Sequence, residues 1–182
     1  MRNSTLRRDY SRLRPNKGFA WHSLMATALT NPGFKAVLFL RLQQYLVTKS
    51  SWRLAGMVRA WCLSSTGADF SPGCGFGPGL VIQHPNGIVI GAGVRVGSDC
   101  TLLQQVTLGE RYADGSGDHS YPVVGDNCVL GAGSKVLGGV RLGESVVVGA
   151  NSVVLTDVDS GSTAVGSPAR VIARRTERAD LP

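Results

Sequence analysis

The chain is 182 residues long, which fits one ordinary domain with a modest appendage and excludes a large multidomain machine. Apolar residues make up 43% and charged residues only 17%, so the chain can bury a core and is not a disordered tail; its 24 glycines are well above the usual share of roughly 7% but lack the every-third spacing of collagen. The net charge of +7 is concentrated in the N-terminal third: residues 1–65 carry eleven Lys or Arg against one acid, Asp9, while the remainder carries eight against eleven.

Residues 1–65 read as a basic helical region. Apolar residues recur at 3.6-type spacing in Phe34, Val37, Leu38, Leu40, Leu42, Tyr45 and Leu46, and again in Trp52, Leu54, Met57, Val58 and Trp61. Asn31-Pro32 is a helix entry signal, so helices are expected at about 32–48 and 51–64, capping whatever follows. No run of eighteen apolar residues predicts a membrane span, and the N-terminus is too polar for a secretory apolar segment, which points to a cytoplasmic location. Cys62, Cys74, Cys100 and Cys128 form no C-x-x-C pair and read as small buried apolar residues of a reducing compartment.

From residue 66 to 173 the pattern changes to a period of six. An aliphatic residue, usually followed by Gly, recurs at Ile90, Val96, Leu102 and Leu108, then at Val124, Leu130, Val136, Leu142, Val148 and Val154. Four residues after each comes another small or β-branched residue, such as Val94, Cys100, Val106, Cys128, Ser134, Val140, Val146 and Ser152. A six-residue period cannot keep to one helix face; it suits a parallel β-helix of triangular coils, one hexapeptide per side, with Gly supplying the positive φ of the corners. Running backward, Phe70, Phe76 and Ile82 hold the register, and two extra residues then appear around His84-Pro85-Asn86-Gly87. The register breaks again between Leu108 and Val124, which predicts a polar loop over residues 110–123 expelled from the prism. Gly166-Ser167-Pro168-Ala169-Arg170 reads as a closing turn, and residues 174–182 as a charged tail.

The blocks Ala68-Asp69-Phe70-Ser71-Pro72, His84-Pro85-Asn86-Gly87-Ile88-Val89-Ile90-Gly91, Gln104-Gln105-Val106-Thr107-Leu108-Gly109, Leu130 to Gly138 and Gly166 to Arg170, in this order, resemble the hexapeptide-repeat acyltransferases of the serine acetyltransferase group. The resemblance covers roughly residues 30–172 and implies a mainly β fold: a left-handed parallel β-helix with a short N-terminal α-helical region, exceptional among crossovers in its hand. It further implies a homotrimer with active sites between neighbouring prisms, acetyl-CoA as co-substrate and no metal. The helical region is shorter than in full-length members, leaving trimer or hexamer open.

By this resemblance His84 is the general base; an imidazole with an ordinary pKa of about 6.5 suits proton removal from a hydroxyl attacking a thioester. Asp69 matches the carboxylate that orients it. In the loop, His119 or Tyr121 takes the place of a second family histidine, since the expected Arg-His before Pro122 is absent. Gln83 stands where the family has an acid for the substrate ammonium, and a neutral amide cannot supply that ion pair. For acetyl-CoA the resemblance indicates Gly109, Ala132, Gly133 and Ser134 along the groove, Lys135 at the nucleotide end, and Pro168, Ala169 and Arg170 near pantetheine and phosphates.

These residues predict an acetyl-CoA-dependent O-acetyltransferase. Gln83, the altered loop and the missing Arg favour a sugar hydroxyl of a surface polysaccharide or its precursor as acceptor, with serine O-acetylation for cysteine biosynthesis as the alternative and a non-catalytic scaffold behind both. The basic, aromatic-bearing N-terminal third also suits the anionic inner face of a membrane. A zinc enzyme of the carbonic-anhydrase kind needs three ligand histidines, and only His84 and His119 lie in or beside the repeats; no nucleic-acid-binding motif accompanies the charge.

Overall fold

The computed structural model describes residues 3–15, 18–111 and 120–172. The tail 174–182, the middle of the 110–123 loop and His119 lie outside the described residues.

Four helices come first: α1 (Asn3–Leu13), α2 (Trp21–Thr30), α3 (Pro32–Thr48) and α4 (Trp52–Thr66). The entry signal acts as read, because the Asn31 side chain accepts the Phe34 amide at 2.8 Å and Pro32 opens α3 without a donor to lose. Helix α4 stops at Gly67, whose φ of 75° lets its amide close on the Leu63 carbonyl. The apolar spacing of α3 serves the interior in its first half, burying Phe34, Val37 and Leu40, while Leu42 and Tyr45 stay exposed. That of α4 does not: Ala55 and Cys62 are its buried residues, and Trp52, Leu54, Met57 and Trp61 face outward.

The chain then winds into a left-handed parallel β-helix with three faces. The first face stacks β1 (Asp69–Phe70), β4 (Val89–Ile90), β7 (Thr107–Gly109), β10 (Lys135–Leu137) and β13 (Val153–Val154). The second stacks β2 (Gly75–Phe76), β5 (Arg95–Val96), β8 (Val123–Val124) and β11 (Arg141–Leu142). The third stacks β3 (Val81–Ile82), β6 (Thr101–Leu102), β9 (Val129–Leu130), β12 (Val147–Val148) and β14 (Thr163–Gly166), to which β15 (Ala169–Ile172) adds as an antiparallel hairpin strand. The register places each hexad residue over the next, Ile90 over Leu108 over Val136 over Val154, and this aliphatic column is buried throughout. The two insertions fall at corners: the His84 turn between the third and first faces, and the long loop between the first and second.

The structure corrects the reading of the repeat glycines. Glycines that follow the aliphatic residue, such as Gly97 and Gly125, do not have positive φ; a Cβ on Gly125 would stand 2.8 Å from the backbone of Gly143 in the next coil. They are small because coils stack closely there. Positive φ falls elsewhere in the corners, at Asp99, Asn127 and Ser145 on one corner and at Gln105, Gly133 and Asn151 on another, so polar side chains, mostly short ones, share that duty with glycine.

The helices close the open end of the first coil through a buried ion pair. Asp9 of α1 is fully buried and takes Arg41 Nε at 2.8 Å and Nη2 at 2.9 Å, while its Oδ1 also accepts the amides of Gly79 at 2.7 Å and Leu80 at 2.9 Å. Arg41 in turn donates to the carbonyls of Phe76 at 2.8 Å and Gly77 at 2.6 Å. Backbone groups of the first coil that have no preceding strand to pair with thus find partners in the cap.

Candidate active site

His84 sits in the two-residue expansion of the first coil, exposed, with a φ of 55°. Such a conformation is strained for a residue with a Cβ and is held here by its surroundings. Pro85 behind it is buried and its carbonyl accepts the Ile88 amide; the Gly87 amide donates to Gly67 at 2.9 Å, tying the turn to the end of α4. On the other side Gly33 of α3 lies so close to the Ile82 carbonyl that an added Cβ would be 2.0 Å from it. The turn is therefore gripped between the start of α3 and the end of α4, and its imidazole opens into two adjoining depressions.

The larger depression, about 500 Å³, is lined by Pro32, the α4 terminus from Leu63 to Thr66, Gly67, His84 and Asn86. The smaller, about 260 Å³, is lined by Leu13, Thr30 to Gly33, Gln83 and His84. Gln83 and His84 thus share one concavity, into which the N-terminus of α3 brings the positive end of its dipole, favouring a negatively charged group.

Asp69 lies at the start of the first face, its amide bonded to the Ile88 carbonyl at 2.8 Å. Its carboxylate is gripped by Arg59 of α4 through Nε and through Nη2 at 2.8 Å, and no Asp69–His84 hydrogen bond exists among the described residues. This contact raises the pKa of Arg59 above its ordinary value. Arg59 escaped sequence reasoning; it sits four residues before Leu63 on α4, and only the docking of that helix brings it to the carboxylate. A carboxylate has lone pairs beyond those a bidentate guanidinium uses, so Arg59 can anchor Asp69 without blocking a further donor.

Tyr121 occupies a different corner. Its ring lies across Gly91 and Gly93, where an added Cβ would meet it at 2.6 Å and 2.1 Å, and its hydroxyl bonds to Glu110, which raises its pKa. It fastens the returning end of the loop to the first-to-second corner, whereas His84 stands at the third-to-first corner. One chain does not bring the two together.

The proposed coenzyme residues divide likewise. Ala132 and Gly133 lie on the third-to-first corner, two coils beyond His84, and Lys135 opens β10 beside them, exposed and with its Nζ donating to the Gly133 carbonyl at 2.9 Å. Pro168, Ala169 and Arg170 form the hairpin turn and the start of β15 at the last coil of the same corner. At about 4.8 Å per coil this corner offers a track of roughly 19 Å from His84 to that hairpin. Gly109 ends β7, the middle strand of the first face, on the side away from His84, and a Cβ there would meet open space. Beside it, Arg111, Ser120, Leu137 to Val140 and Leu155 to Asp157 line a depression of about 380 Å³, whose only sequence signal was the broken register. Ser134 faces inward: it is fully buried, its amide bonds to the Gly131 carbonyl and its carbonyl to the Thr107 amide, so it belongs to the prism interior and not to a surface groove. Among the described residues no three His, Cys, Asp or Glu converge on one point.

The chain matches the family described as bacterial transferase hexapeptide (six repeats) over residues 121–156. It is 40% identical over 149 residues to the serine acetyltransferase of Helicobacter pylori, covering 80% of this chain and 84% of that protein. It is also 40% identical over 155 residues to the serine acetyltransferase of Synechococcus elongatus, covering 84% of this chain but 62% of the relative's length. The fold superposes with a TM-score of 0.83 on the serine acetyltransferase of Brucella abortus solved in complex with coenzyme A, at 28% identity, covering 94% of this chain and 67% of that one. With the repeat, the raised histidine turn and this degree of identity in place, the chain belongs to the serine acetyltransferase family of hexapeptide-repeat proteins.

Proposed function

We propose that the protein is an acetyl-CoA-dependent O-acetyltransferase whose acceptor is L-serine, acting as a homotrimer. The observation that carries this reading is His84, held on a strained turn and opening into a concavity formed by the start of α3 and the end of α4. In this role the imidazole takes the proton of the serine hydroxyl as its oxygen attacks the thioester carbonyl. The resulting imidazolium then protonates the departing thiolate. Asp69, anchored by Arg59 and with lone pairs to spare, is the carboxylate that would orient His84 and offset the positive charge it acquires once the two come within hydrogen-bond reach. The third-to-first corner, with Ala132, Gly133, Lys135 and the Pro168–Arg170 turn, carries the pantetheine and phosphates.

The serine reading rests on the names of the relatives and on the N-terminus of α3, whose dipole can hold the substrate carboxylate where the motif arginine is missing. The expected preference for a sugar hydroxyl is not what the relatives named above point to. It keeps one specific observation in its favour: the neutral Gln83, exposed beside His84, offers no counter-charge for an ammonium. Since Tyr121 and the loop leave from one corner and His84 from another, a site containing both forms between two prisms, which supports the trimer.

Release of free thiol from acetyl-CoA, followed with L-serine and with nucleotide sugars and oligosaccharides, tests the acceptor. Saturable turnover with serine upholds the proposal; turnover with a saccharide and none with serine overturns it in favour of the sugar reading.

A further inference from the structure

The outward faces of the helical layer carry apolar side chains where a surface helix ordinarily carries polar ones. On α2, Trp21, Met25 and Leu29 follow one another at four-residue spacing on a single face and are 60%, 57% and 84% exposed. On α4, Leu54, Met57 and Trp61 form a second exposed stripe, with Trp52 at its start. All three tryptophans of the chain are more than half exposed, and all three belong to this layer. Unpaired apolar stripes of this kind mark a surface that meets a partner.

The charge of the same layer selects the partner. The single acid among residues 1–65, Asp9, is fully buried and neutralised by Arg41, so no carboxylate of this segment reaches its surface. Cations do reach it: Arg53 and Lys49 are exposed, and the Arg7 guanidinium sits 4.8 Å above the Phe19 ring, which stands edge-on to Trp21. Two such layers facing each other would repel, which argues against pairing of one helical layer with that of a second copy; the trimer proposed above joins the prisms instead. Exposed tryptophans with cations beside them match the interface of a bilayer rich in anionic lipid.

We propose that the helical layer docks on an anionic lipid surface through Trp21, Met25 and Leu29 on α2 and the outward stripe of α4, with Arg7, Lys49 and Arg53 attracting the headgroups. This docking is independent of the acceptor. It has a geometric consequence for the site: α2 ends at Thr30 and α4 at Thr66, both lining the concavities around His84, so the site lies at the margin of the docked face.

The test is co-sedimentation of the full chain with vesicles of phosphatidylcholine containing about 30% phosphatidylglycerol, against phosphatidylcholine alone. Binding is expected to the anionic vesicles and to weaken with added salt. Quenching of tryptophan emission by brominated lipid should accompany it. The variant Trp21→Ser/Met25→Ser/Leu29→Ser changes only exposed side chains and should lower the partition coefficient about tenfold or more while keeping the wild-type circular dichroism spectrum. Lys49→Glu/Arg53→Glu should abolish the preference for anionic lipid. Failure of the wild-type chain to sediment with either vesicle overturns the proposal. So does a triple variant that binds as wild type, or light scattering showing that the triple variant has lost an association between copies instead.

Discussion

Replacing Asp9 by alanine tests whether the helical layer is a working part of the β-helix or an ornament on it. The carboxylate accepts four hydrogen bonds, two from Arg41 and two from the amides of Gly79 and Leu80. Its loss leaves a guanidinium that is 4% exposed without counter-charge, and two first-coil amides without acceptors. Breaking a buried pair from one side costs about 3–5 kcal/mol, and each orphaned amide adds about 1–3 kcal/mol unless water reaches it. Because α1 can shift and admit water, we take about 4 kcal/mol, a large share of an ordinary stability of roughly 5–15 kcal/mol. Urea unfolding followed by circular dichroism reads the loss, with Arg8→Ala, which removes an exposed pair to Asp99, as a control expected to show no measurable change. The double variant Asp9→Leu/Arg41→Met should recover part of the loss, since it removes the uncompensated charge. A change below about 1 kcal/mol for Asp9→Ala would refute the reasoning and mean that α1 is docked by its apolar contacts alone.

Four other outcomes are expected. His84→Ala should lower kcat about 100-fold or more in the thiol-release assay while leaving the fold intact; unchanged turnover with the true acceptor removes it from catalysis. Arg59→Ala should lower kcat severalfold with little effect on KM, and Arg59→Lys should restore part of it; a rise in kcat would instead identify the Arg59–Asp69 contact as inhibitory. Gly125→Ala places a Cβ 2.8 Å from the backbone of Gly143 and Glu144 and should destabilise by about 1–3 kcal/mol in thermal unfolding, whereas a neutral result would show that the coils can separate. Burial pushes the Cys74 thiol up from 9.0 to about 12, so the stability gained by keeping it neutral is complete below pH 9 and is lost as pH rises from there toward 12. Thermal midpoints of Cys74→Ala should therefore fall less steeply above pH 9 than those of the wild-type chain; parallel curves would contradict this.

The period of six specified the β-helix almost residue by residue, because an interior position in a stacked coil tolerates only a compact apolar side chain and thus writes its periodicity into the sequence. The two insertions were visible for the same reason, as breaks in register. Motif residues with chemical side chains, His84, Asp69 and Gln83, could be picked out too, and the fold places Gln83 and His84 in one concavity. What the repeat glycines do was misread, since close approach of coils and positive φ leave the same residue type behind.

Other features arose only from packing. Arg41 is one charge among the apolar residues of α3 in the sequence; it is the buried centre of the cap, through contacts to residues 32 and 35 positions away. Arg59 acquires Asp69 only because α4 lies against the first coil. The stripe of Trp52, Leu54, Met57 and Trp61 shows the limit most plainly: helical spacing announced an apolar face, and the tertiary structure turned that face outward. The sequence alone determined the coil, its register and the chemistry available at its corners, because these are local and repeat. Which charges are buried, which apolar faces stay exposed and which side chains share a cavity depend on contacts between distant segments, and those the fold decided.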